Sequence, residues 1–235
     1  MLLPRKVLMG LSLLAAANAA LAAPILLDGD HFTVAYDSSL TGLYKDGLLS
    51  GSLDTVYFQP NTFTALSGGS PASTQALLQL TFTIDPGYTF TGLSFTERGD
   101  YFLFGGGAVD VAASVQAVNA ATLESDVLNL APDAPLSATG GSTPWELTGS
   151  LSSLGPGLPQ TLLVTLDNTL YASASTGSLG FIQKTYAGFR VMTRPAAVPE
   201  PASWTLLLAG MLAALLIGKR RVMFRARPST CGRRS

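Results

Sequence analysis

His31 and Cys231 are the single histidine and the single cysteine of this 235-residue chain. Triad chemistry and cysteine-rich zinc sites therefore have almost nothing to be built from. His31 stands in Asp28-Gly29-Asp30-His31, a polar cluster that could hold calcium through Asp28 and Asp30 or support acid–base work. A metal site needs several ligands gathered by the fold, and the spacing of an EF-hand loop is missing, so a turn with a solvated histidine is the expectation. Glu97, Glu124 and Glu146 are the glutamates of the central region. Glycoside hydrolysis would need two carboxyls roughly 5 to 9 Å apart, and Glu97 is expected instead to partner Arg98 at a strand end. Arg98-Gly99-Asp100 reads as a charged tight turn. Gly105-Gly106-Gly107 lacks the following helix that phosphate cradling requires and reads as a loop. Trp145, Tyr101 and Tyr88 could stack on sugar rings. No catalytic residue, metal ligand or cofactor site is assigned.

The elements that would position these residues are strands. Leu78, Leu80, Phe82 and Ile84 alternate with Gln79, Thr81 and Thr83, the period of two that marks a half-buried strand. Asp85-Pro86-Gly87 predicts a hairpin turn. Tyr88 and Phe90 resume the alternation, and Leu93 and Phe95 continue it in shifted phase, as a bulge near Gly92 would produce. Short strands are predicted at Phe32–Tyr36, Thr55–Phe58, Thr62–Ala65, Tyr101–Phe104, Val109–Ala117, Leu162–Leu166, Leu170–Ala174, Leu179–Ile182 and Gly188–Thr193. Ala120–Leu128 is the one weak helix candidate, and Ala131–Pro159, rich in proline and glycine, reads as a long loop. Ten or so strands at this spacing predict an all-β domain, an antiparallel β-sandwich or jelly roll, spanning residues 23–198.

Charge and hydropathy separate the ends from this middle. Charged residues make up 12% of the chain, about half the ~25% usual in soluble proteins. Between Ala23 and Val198 five cations face fourteen carboxylates, a net charge of -9, while both ends are basic. Nucleic-acid binding by the middle is disfavoured, because neutralising phosphates needs a basic face. Arg5 and Lys6, an apolar run from Val7 to Ala20, and Ala20-Leu21-Ala22 have the parts of a secretory signal peptide, residues 1–22, with cleavage expected between Ala22 and Ala23. Near the other end, Trp204–Gly218 is uncharged and as a helix would be about 22 Å long against a hydrocarbon core of ~30 Å. Trp204 at one interface and Lys219-Arg220-Arg221 at the other make it a short transmembrane helix with the C-terminus in the cytoplasm.

Val198-Pro199-Glu200-Pro201-Ala202-Ser203, then the short apolar helix, then Lys219-Arg220-Arg221, resembles the PEP-CTERM sorting signal of Gram-negative bacteria that make exopolysaccharide. The same kind of segment is also labelled an ice-binding protein C-terminal domain. The resemblance covers residues 199–221. It implies processing by an exosortase at Pro199-Glu200-Pro201, with Lys219, Arg220 and Arg221 as the basic stop. The two prolines hold that site extended. This chain continues past the stop with a basic tail, residues 222–235.

The expected function is non-enzymatic. The protein would be exported across the inner membrane with signal peptidase and exosortase as processing partners. It would begin as a single-pass membrane protein and end at the cell surface or in the extracellular polysaccharide matrix of a biofilm, with exopolysaccharide as a candidate contact. The alternatives are a secreted hydrolase of glycosidase type on the same fold, and an adhesive structural subunit accepting a partner at an open strand edge.

Overall fold

The computed structural model describes residues 24–152, 159–197, 207 and 209–213. The chain divides into two compact units, Met1–Pro195 and Ala196–Ser235. In the second, Leu207 and residues 209–213 are helical. Among the described residues no helix is long and apolar enough to cross a membrane, so the span expected over 204–218 is not shown. The signal segment with Ala22 and Ala23, the motif Pro199-Glu200-Pro201 and the stop Lys219-Arg220-Arg221 lie outside the described residues.

The first unit is all-β, in two antiparallel sheets consistent with the expected β-sandwich. Its described strands are β1 (Ile25–Asp28), β2 (Phe32–Tyr36), β3 (Gly47–Leu49), β4 (Thr55–Phe58), β5 (Thr64–Ser67), β6 (Ala72–Ile84), β7 (Tyr88–Phe104), β8 (Ala108–Asn119), β9 (Ser125–Leu130), β10 (Thr143–Leu151), β11 (Thr161–Ser173) and β12 (Leu179–Pro195). The first sheet runs β1-β2-β6-β11-β8-β9 and the second β10-β7-β12-β4-β3, with β5 also paired to β12. Their inner faces share one apolar core: Phe82, Leu80, Val115, Leu166 and Leu170 come from the first sheet, and Phe95, Leu93, Ile182, Phe189 and Val56 from the second. Phe189 spans the interface, with its ring centroid 6.3 Å from Phe82 and 4.9 Å from Phe95.

Period-two alternation sets which side chains reach this core, and each of the two 17-residue strands changes phase once. On β7 the inward residues are Phe90, then Leu93, Phe95, Glu97 and Tyr101; the register slips at Thr91, one residue from the bulge that the sequence predicts. On β12 they are Ile182 and Lys184, then Ala187, Phe189 and Val191, with Thr185 as the extra residue. A bulge leaves two residues opposite one and re-aims the side chains that follow.

Several expectations are corrected. Tyr101–Phe104 continues β7, the segments expected at Leu162–Leu166 and Leu170–Ala174 merge into one strand that ends at Ser173, and Leu179–Ile182 and Gly188–Thr193 are likewise one strand. Asp85-Pro86-Gly87 turns through a Tyr88 N–H bond to the Asp85 carbonyl, 3.1 Å. It joins strands of opposite sheets and is an arch, not a hairpin. Ala120–Leu128 is not helical. The Asn119 side chain accepts from the Ala121 N–H at 3.0 Å, and Leu123 has a positive φ of 62°, so the chain reverses and β9 pairs with β8. β10 lies inside the expected loop 131–159. Arg98-Gly99-Asp100 is mid-strand in β7, and β1 and β3 lie outside the segments where the sequence predicts strands.

Gly99 shows why that tripeptide is extended. A Cβ there would meet the Gln183 carbonyl oxygen at 1.9 Å and the Trp145 ring at 2.7 Å. Trp145, on β10, lies across this gap and donates from Nε1 to the same carbonyl at 3.1 Å. Gly99→Ala is expected to lower the urea unfolding free energy by about 2 kcal/mol, in the range of overpacked sites. Gly51→Ala, where a Cβ meets open space, should change it by under ~0.5 kcal/mol. Equal midpoints for the two variants would refute this packing account.

Candidate functional site

The outer face of the second sheet carries rings and charges in register. Tyr57 on β4 is opposite Gly188 on β12, which is opposite Thr96 on β7, which is opposite Thr148 on β10. In the adjacent row Tyr186 is opposite Arg98, and Arg98 opposite Glu146. Alternation along β4, β7 and β10 turns Tyr57, Arg98 and Glu146 outward. The bulge at Thr185 is what puts Tyr186 there, next to Lys184 but on the other face. Gly188 then lets the ring lie down: a Cβ at that position would sit 2.3 Å from the Tyr186 hydroxyl.

The result is a low platform. Tyr57 and Tyr186 stack with centroids 5.7 Å apart and planes 20° from parallel. The Arg98 guanidinium sits 5.6 Å from the Tyr186 ring centroid and its Nη2 is 3.2 Å from Glu146 Oε1. Burial holds the Tyr186 hydroxyl above the ordinary tyrosine range, with Arg98 opposing. At the platform's edge Asp54 Oδ2 accepts from Arg190 Nε at 2.8 Å, while its Oδ1 accepts from Ser52 at 2.7 Å, Thr55 at 2.8 Å and Ser50 at 3.2 Å. At the far end the face is apolar, with Leu66, Phe181 and Phe102 in one row.

A second cluster is buried between the sheets. Glu97 on β7 and Lys184 on β12 form an ion pair whose two side chains are both fully enclosed. Asn168, from β11 of the facing sheet, donates Nδ2 to the same Glu97 oxygen at 2.5 Å. Lys184 Nζ lies 5.5 Å from the Tyr44 ring centroid and 5.1 Å from that of Phe63. Burial pushes the Glu97 carboxyl up against the pull of Lys184, and pushes the Lys184 amine down to about 8 against the pull of Glu97. Among the described residues, Glu97 Oε1, Asn168 Oδ1 and the Tyr44 hydroxyl have no hydrogen-bond partner. These residues escape a sequence reading that takes charged side chains as surface. Their signal was positional: Glu97 is in phase with Phe95, and Lys184 with Ile182.

Most of the residues singled out from sequence are placed apart. Glu97 does not pair with Arg98 at a strand end, because adjacent residues of a strand point to opposite faces. Glu97 is in the core, Glu146 is on the outer face, and Glu124 is in the turn before β9, where its Oε2 accepts from Thr122 at 3.1 Å. Trp145 and Tyr101 belong to the core, so neither offers a ring to a sugar. Tyr88 is stacked on His31, with centroids 3.6 Å apart and planes 12° from parallel. His31 is thus held against a ring in a turn of positive φ, 69°, and is less open to solvent than expected. Asp30 Oδ1 lies 3.3 Å from its Nε2, whereas Asp28 accepts from Thr33. Among the described residues no three His, Cys, Asp or Glu side chains gather as a metal site would require. Gly105-Gly106-Gly107 is the loop joining β7 to β8, tied by the Gly106 N–H to Ser178 Oγ at 2.9 Å.

No protein-family model matches the chain, and no curated protein matches it. Among solved structures it is similar to TmCBM61 in complex with β-1,4-galactotriose, at 10% identity and a TM-score of 0.25, over 68% of this chain and 88% of that one. It is also similar to the infectious bursal disease virus VP2 subviral particle, at 11% identity and a TM-score of 0.28, over 68% of this chain and 49% of that one. A third similarity is to carbohydrate-binding modules from the β-sandwich superfamily described for promiscuous specificity, at 10% identity and a TM-score of 0.23, over 69% and 96% of the two chains. Likeness at these scores carries no argument about ligand.

The Asp54 cluster gives a pH dependence. Hydrogen bonding, first from Ser52, holds the Asp54 carboxyl below the usual carboxylate range, with Arg190 adding to it. A carboxyl lowered by folding stabilises the protein above its unfolded value of ~3.9 and loses that contribution as pH falls through the folded value. Asp54→Asn should therefore cost a few tenths to about 1 kcal/mol at pH 7, as solvent-facing ion pairs do. The difference from wild type should vanish near pH 2. Denaturant titrations at the two pH values check it, and a constant difference would refute it.

Proposed function

We propose that the chain is an exported, non-enzymatic protein of the cell envelope or extracellular matrix whose β-domain contacts glycans through the outer face of the second sheet. The observation that carries the glycan contact is the Tyr57–Tyr186 pair laid over Gly188 and bordered by Arg98 and Glu146. A sugar ring offers C–H groups on its faces and hydroxyls at its rim. Tyrosine offers an apolar ring with a polar handle, and a guanidinium beside a carboxylate offers donors and acceptors at the rim. A flat, part-polar platform suits an extended polymer better than a small substrate. The central glutamates occupy three different environments, inside, outside and in a turn, which favours a binding role over the glycosidase alternative.

Native electrophoresis of the protein through gels containing soluble polysaccharides, β-linked and α-linked in parallel, tests the contact. Retardation by at least one polymer is expected, and Tyr57→Ala with Tyr186→Ala should reduce the association constant about tenfold or more while the far-ultraviolet circular dichroism spectrum stays that of the folded protein. Each stacked ring is worth on the order of 0.5–1.5 kcal/mol beyond its buried area. Mobility unaltered by every polymer, or equal retardation of the double variant, sinks the reading.

Delivery is the second part of the proposal. The resemblance of residues 199–221 to the PEP-CTERM signal supports cutting near Pro199-Glu200-Pro201 by an exosortase, after signal peptidase has acted between Ala22 and Ala23. The short apolar stretch and the arginine stop that follow suit a segment left behind in the membrane. Replacing Pro199, Glu200 and Pro201 with alanine should leave uncut precursor in the inner membrane of an exosortase-bearing host. Mass spectrometry of the mature C-terminus decides it, and a surface form still ending at Ser235 would overturn the sorting role.

A further inference from the structure

The polar cluster between the sheets brings together an amine, a primary amide and a carboxyl, all enclosed from solvent by the fold. Lys184 Nζ and Asn168 Nδ2 both bond to the single oxygen Oε2 of Glu97, which sets the amine beside the amide that hangs from the facing sheet. All three residues are buried, and the rings of Tyr44 and Phe63 close over Nζ. Among the described residues the buried Asn168 carbonyl oxygen has no donor. From this geometry we infer that Lys184 and Asn168 join in an intramolecular amide bond, promoted by Glu97, that links β12 to β11 and so one sheet to the other.

The step needs no co-reactant. Burial destabilises both the ammonium and the carboxylate, which drives the Lys184 amine down and the Glu97 carboxyl up. Proton transfer from Nζ to Glu97 therefore yields a nucleophilic amine next to a carboxylic acid. The Nζ lone pair adds to Asn168 Cγ, and the carbonyl electron pair moves onto Oδ1, the atom that otherwise lacks a partner. Glu97 carries a proton from Nζ to Nδ2. The Cγ–Nδ2 bond breaks as the carbonyl re-forms, and ammonia leaves. Of the three ammonium protons, one stays on the new amide, one departs with ammonia and one remains on Glu97, so atoms and charge balance. The product core holds no ion.

Trypsin reads the bond directly in the natively purified full chain. Arg98, Lys184 and Arg190 are consecutive cleavage sites, so an unmodified chain yields 99–184 and 185–190. An amide at Lys184 blocks its cleavage and gives a single peptide, 99–190, lighter than its sequence by one ammonia, about 17 Da. Its fragment ions should be missing between residues 168 and 184, where the loop is closed. Asn168→Asp should lose water in place of ammonia, about 18 Da, and Glu97→Gln should release the two separate peptides at full mass. Wild-type protein giving those two peptides at full mass overturns the inference, whether or not the variants fold. A loss of ammonia that persists in Lys184→Arg would place it elsewhere in the chain and overturn it equally.

Discussion

Both 17-residue strands of the second sheet make one change of phase, each where a bulge re-aims the side chains that follow it. The slip at Thr91 passes the inward role from Phe90 to Leu93, and the slip at Thr185 passes it from Lys184 to Ala187. The rest depends on these two shifts. They keep Phe95, Phe189 and Val191 inside, where Phe82 of the first sheet meets Phe189. The second one also sends Lys184 and Tyr186, two positions apart, to opposite faces. One bulge therefore shapes both the enclosed cluster and the exposed platform.

The enclosed cluster is costly as an ion pair. Removing two charges from water is repaid only when the remaining lone pairs are satisfied, and among the described residues Glu97 Oε1 and Asn168 Oδ1 have no donor. Its position is nonetheless suited to fastening, since Asn168 belongs to one sheet and Glu97 and Lys184 to the other. With one cysteine in the chain, an intramolecular disulfide has no second thiol to form from. An amide between side chains would hold the sheets together by a bond indifferent to redox conditions.

The sequence made the architecture readable because strand alternation is a local property. Leu78 to Ile84 and Val109 to Ala117 show the period that the sheets require, and the slip near Gly92 is visible in the spacing of Phe90 and Leu93. Strand length and pairing were less readable. Nothing local distinguishes Asp85-Pro86-Gly87 as an arch between sheets from a hairpin within one, and the turn after Asn119 is set by a side-chain bond that a helix-like composition conceals. The outer platform was hidden for a related reason. Tyr57 and Tyr186 lie 129 positions apart in sequence and become neighbours only through the register of β4 on β12. Trp145, which invited a sugar-stacking reading, fills the space left by Gly99.

β12 ends at Pro195, where the first unit ends, and it is an interior strand, flanked by β7 along its length and by β4 and β5 on its other side. A pull transmitted through the following residues would act along this strand. Ladder bonds lying across the pulling direction would share the load together, as in a lap joint, instead of parting one after another as in a zip. Under such a pull the load would enter the domain through a strand paired on both sides, and the ladder would be loaded in shear.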